Sequence, residues 1–92
     1  MRILGEVPHT KYKITILEMS AKVSIQIEDG LLTQTFRFRD AGGVSGAHDA
    51  TLFCDDAFME KVAHTFQLMA ENQSSRLQQF NGTDQIDLPE II

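Results

Sequence analysis

Two runs of alternating apolar residues, 12–19 and 23–38, can be threaded into one antiparallel sheet without a single side chain changing face. Asp29-Gly30 is the strongest hairpin signal in the chain, because a type I′ turn needs positive φ at both central residues and glycine accepts it freely. A two-residue loop there predicts that Ile27 pairs with Leu32, Ile25 with Gln34 and Val23 with Phe36. The weaker turn signal at Ser20-Ala21 predicts Ile14 opposite Ile27, Ile16 opposite Ile25 and Glu18 opposite Val23. Both turns send Tyr12, Ile14, Ile16, Val23, Ile25, Ile27, Leu32, Phe36 and Phe38 to one side, and a slip of one residue would send them all to water. The other side carries Lys13, Thr15, Lys22, Ser24, Gln26, Glu28, Thr33, Thr35 and Arg37, and is expected to be solvated.

Residues 2–7 are expected to add an edge strand that ends at Pro8, which has no N–H to give to a ladder. Residues 40–49 hold Gly42, Gly43 and Gly46 and one aliphatic residue, Val44, so a mobile loop is expected, followed by a short strand over 51–54. Asp55 or Asp56 is placed to cap a helix. At 100° per residue, Phe58, Met59, Val62, Phe66, Met69, Ala70, Leu77 and Phe80 fall within an arc of about 120°, which predicts a helix over 56–80 that stops at Asn81-Gly82. The tail, 82–92, alternates at Ile86, Asp87 and Leu88 and could lie along an edge or another chain. The expected fold is therefore α+β: an antiparallel meander of four to five strands packed against one long C-terminal helix.

Ninety-two residues, 42% of them hydrophobic, suit a single domain spanning 1–92 that buries about 60–65% of its unfolded surface. The lone Cys54 excludes an internal disulfide framework, and with no basic, apolar leader the expectation is a cytoplasmic chain. No apolar run approaches the roughly 18 residues of a membrane span. The net charge of −5 opposes polyanion binding in general, but it is unevenly spread. Residues 1–39 carry six basic and four acidic side chains, whereas residues 40–92 carry two basic and nine acidic ones.

No motif announces chemistry. Gly46-Ala47-His48 lacks the Gly-Lys-Ser/Thr of a phosphate loop. Cys54 precedes a helix start that would lower its pKa, but Asp55 and Asp56 oppose that, and a small buried thiol is the plainer account. Glu60 and His64 have metal-ligand spacing on a helix face opposite the apolar stripe, where a two-ligand pair binds weakly and an i,i+4 surface pair is expected instead. No cofactor, catalytic set or metal site is implied. Gln34 is a polar residue in an inward pattern, which marks either a pocket-lining amide or one satisfied by backbone. Lys13, Lys22 and Arg37 give the outer sheet face a basic character suited to single-stranded nucleic acid, but the rings that would stack on bases fall on the inner face.

The helix itself is the most telling feature. Twenty-five residues span about 37 Å, while an eight-residue strand covers about 26 Å. The helix must overhang, carrying Leu77 and Phe80 with it, and the tail adds Ile86 and Leu88. A non-enzymatic interaction or homodimerisation module is expected, with those four residues at the interface; a single-stranded nucleic-acid binder and a small ligand-binding domain or enzyme are the alternatives.

Ala50-Thr51-Leu52-Phe53-Cys54-Asp55-Asp56-Ala57-Phe58, after a three-strand meander, resembles a PUR-like nucleic-acid-binding repeat in the order of its elements. That resemblance implies a topology and carries no binding residue with it. Leu4-Gly5-Glu6-Val7-Pro8-His9 and Gly30-Leu31-Leu32-Thr33-Gln34-Thr35-Phe36 resemble segments of small bacterial proteins with no assigned activity, and imply none.

Overall fold

The computed structural model describes residues 1–39 and 43–83. Four strands, β1 (Arg2–Val7), β2 (Lys13–Met19), β3 (Lys22–Asp29) and β4 (Leu32–Arg37), form an antiparallel sheet in sequential order. Two helices follow, α1 (Ala47–Phe53) and α2 (Asp56–Thr83). The class is α+β, an antiparallel sheet with a long C-terminal helix.

The β2–β3 register is the expected one, with Ile14 opposite Ile27, Ile16 opposite Ile25 and Glu18 opposite Val23. Its turn puts Ser20 at φ 54° and Ala21 at φ 64°, both in the left-handed region that the twist of a two-residue hairpin selects. The β3–β4 register differs from expectation by two residues. Ile27 pairs with Gln34, Ile25 with Phe36 and Asp29 with Leu32, so the loop is Gly30-Leu31 rather than Asp29-Gly30. Gly30 stands first in that loop at φ 63°, the position where a Gly-X turn wants positive φ, and Asp29 is released to pair. Strand side chains repeat every two residues, so the slide leaves every residue on its expected face.

That face holds the core. Ile25 and Ile27 are fully buried, with Tyr12, Ile14, Ile16 and Val23 beside them and Ala50, Val62 and Phe66 from the helices above. Leu32, Phe36 and Phe38 pack at its border. Between Ile3 and Gly5 the β1–β2 pairing shifts, a bulge that leaves Ile3 opposite Leu17 and exposed while Leu4 packs on the core. The outer face is less solvated than expected: Thr15 and Ser24 are buried there and Gln26 is half-buried. Both short side chains stand on the two central strands of the sheet.

The strand expected over 51–54 is absent. Ala47–Phe53 is a helix instead, which also takes the last three residues of the expected glycine loop. Gly46 caps it in extended backbone, and the Asp49 carboxylate accepts from the Ser45 N–H and hydroxyl, at 3.1 and 3.0 Å. Those two bonds, the backbone one first, hold the Asp49 carboxyl below its ordinary pKa. Asp55 Oδ1 accepts from the Phe58 N–H at 2.8 Å and starts α2. Phe53 then joins three elements edge to face, its ring 5.0 Å from that of Phe38 and 4.8 Å from that of Phe58, which in turn meets Phe36 at 5.2 Å.

Candidate interaction surface

One buried polar bond joins α2 to the sheet beside its apolar contacts. Gln34 Nε2 donates to the carbonyl oxygen of Val62 at 3.0 Å, and Gln34 is itself buried. Of the two roles open to this residue from sequence, the geometry supplies the satisfied amide. Replacing it by leucine removes one donor while Val62 keeps its place in the helix, so Gln34→Leu should lower the unfolding free energy by about 0.5–1.5 kcal/mol. The midpoint of a urea transition reads this, and an unchanged midpoint would show that the bond does not hold the helix.

From Val62, α2 runs antiparallel to β4, with Phe58 over Phe36, Val62 over Gln34, and Phe66 against Tyr12 just before β2, ring centroids 5.3 Å apart. Tyr12 is also stacked on His9 at 5.0 Å, and His9 Nδ1 accepts from the N–H groups of Lys11 and Tyr12. The chain entering β2 is thus fixed beside the helix. A groove of about 530 Å³ opens there, between the sheet end and α2, floored by Tyr12, Leu32, Ala63, Phe66 and Ala70 with Lys11, Asp29, His64 and Gln67 at its sides.

Past this groove no strand among the described residues lies beneath α2. Met69 is its last half-buried residue, and residues 70–81 are all exposed. Yet the apolar stripe continues: Leu77 is 51% exposed and Phe80 50%. Twenty-eight helical residues span about 42 Å, in a molecule whose longest dimension is 52 Å. The helix runs through Asn81-Gly82 to Thr83 rather than stopping at them, which lengthens the overhang. Ile86 and Leu88, the other two expected interface residues, lie outside the described residues.

The outer sheet face forms a second concave surface, of about 430 Å³, lined by Lys22 and Arg37 with Ser24, Gln26 and Thr35, and at one end by Met1, Leu17 and Met19. Lys13 sits on the same face opposite Glu28. Sequence reasoning missed the apolar end, although Leu17 and Met19 fall on the outer face by the same alternation that puts Lys13 and Thr15 there. No aromatic ring stands on this face among the described residues.

Cys54 closes α1, partly buried, and its pKa is raised first by burial and then by the Asp55 charge, which keeps it a thiol. Glu60 and His64 are both exposed on α2, and His64 borders the groove. Among the described residues no three His, Cys, Asp or Glu side chains gather at metal-binding range, and no helix is long and apolar enough to cross a membrane. No family model, curated protein or solved structure matches this chain.

Proposed function

We propose that this chain is a non-enzymatic interaction module that associates with a second copy of itself through the half of α2 that projects past the sheet. One observation carries the reading: the stripe that supplies Val62 and Phe66 to the core continues along the helix beyond the sheet, where Leu77 and Phe80 each keep about half of their surface exposed. A lone amphipathic helix end of this length gains little from propensity alone, since most helical stability in water comes from packing of the apolar face. A two-fold partner covers the patch with the same patch and closes the assembly.

Binding of a single-stranded nucleic acid on the outer sheet face is the second reading, supported by Lys22 and Arg37 lining one groove. It ranks lower because base stacking, which supplies much of such binding, has no ring on that face among the described residues. Sedimentation of the protein at micromolar concentration tests the first reading. A mass of two chains, falling to one on dilution, is the expected result, and a monomer at every concentration would overturn it.

A further inference from the structure

The outer face of the sheet is divided across its strands at one end. β1 and β2 bring Ile3, Leu17 and Met19 to it, with Ile3 opposite Leu17, and both Ile3 and Met19 are exposed. β3 and β4 bring Lys22 and Arg37: Lys22 stands opposite Met19, and Arg37 opposite Ser24, which itself pairs with Leu17. Lys22 and Arg37 are therefore diagonal neighbours, about 7–8 Å apart along the backbone, near enough for one carboxylate to meet both. Neither has a carboxylate of its own, since among the described residues the one ion pair is Arg2–Glu18. The acids at outward strand positions, Glu6 and Glu28, stand toward the other end of the face, opposite Thr15 and Lys13.

We propose that this end of the outer face is a docking site for an extended peptide segment that carries an aliphatic side chain and, two to four positions along, a carboxylate. The spacing follows from the sheet. The apolar half, between β1 and β2, and the cationic half, between β3 and β4, lie two strand spacings apart, about 10 Å, which about three extended residues span. Charge complementarity sets the sign of the occupant: an acidic segment finds two cations with no acid beside them. The aliphatic half separates this occupant from a nucleic acid, whose phosphates gain nothing from Ile3 and Met19 and whose bases find no ring on this face among the described residues. Ser24, Gln26 and Thr35 line the same hollow of about 430 Å³ and offer hydroxyl and amide groups to a peptide backbone. The site lies on the side of the sheet away from α2, so it stands apart from self-association through that helix.

Fluorescence anisotropy with a labelled octapeptide holding two leucines followed by two aspartates tests this, at about 0.15 M salt so that charges more than about 8 Å away are screened. Binding should saturate, and Arg37→Glu or Lys22→Glu should each weaken it about tenfold. Met19→Ser should weaken it about threefold through lost apolar contact. Lys13→Glu, at the far end of the same face, should change it by less than about twofold. All four substitutions are at exposed positions, and unchanged circular dichroism verifies that each variant is folded. Equal binding of a counterpart peptide with serines for the leucines, or tighter binding of a single-stranded oligothymidylate through Lys22 and Arg37, overturns the proposal in favour of a purely anionic ligand. So does the absence of saturation at millimolar peptide. If Arg37→Glu instead lowers the mass by sedimentation from two chains to one, a second copy occupies this face and the proposal falls. Leu77→Glu should leave peptide binding unchanged, so failure of the self-association reading and failure of this site are read separately.

Discussion

Ile25→Ala lowers the unfolding free energy of this protein by about 2–5 kcal/mol. The residue has no exposed surface, and it stands on an inner strand between Ile16 of β2 and Phe36 of β4. Removing three carbons there loses their burial and leaves a cavity that the flanking strands cannot close without breaking their ladders. For 92 residues the whole stability is about 5–14 kcal/mol, so the variant loses a large share of it. Urea unfolding followed by circular dichroism gives the difference. Leu31→Ala provides the contrast: Leu31 is 94% exposed at the tip of the β3–β4 turn, and truncation there should change stability by less than about 0.5 kcal/mol. Equal effects at the two sites would contradict the packing described.

If the chain self-associates through the projecting half of α2 as proposed, Leu77→Glu should leave a single, still folded chain. Each copy would bring its own Leu77 to that surface, so the substitution would bury a carboxylate twice. At about 2 kcal/mol for each imperfectly solvated charge, the two together weaken Kd by about a thousandfold. Within one chain the residue touches none of the buried core, which along the stripe ends with Phe66 and the half-buried Met69. Near-ultraviolet signals from the Tyr12–Phe66 cluster should therefore be retained while light scattering at micromolar concentration reports one chain. Ser75→Glu, on the outer side of the same helix, should leave the mass unchanged. Loss of the core signals along with the mass would mean that residue 77 supports the fold instead.

Much of the sheet was legible because a period of two is a strong signal when one face is buried. The same periodicity hid the error at β3–β4: a slide of two residues changes every partner and no face, so the pattern that assigned the core could not choose between Asp29-Gly30 and Gly30-Leu31 as the loop. Helix α1 was not legible at all. Seven residues make two turns, too few for a helical period to emerge, and Thr51, Leu52 and Phe53 are residues that strands also favour. The projecting end of α2 followed from length alone. Where it begins did not, since that depends on Gln34 meeting Val62, a contact between residues 28 positions apart.

The turn between β2 and β3 has a different kind of consequence. Ser20 and Ala21 both hold left-handed backbone, at about 1–2 kcal/mol for each residue that carries a Cβ there, while Gly30 in the next turn avoids the cost. The fold tolerates this strain at a connection that touches neither the core nor the projecting helix. Its stability is therefore set below what its own topology permits, and a margin for later change lies stored in two small residues at the far end of a hairpin.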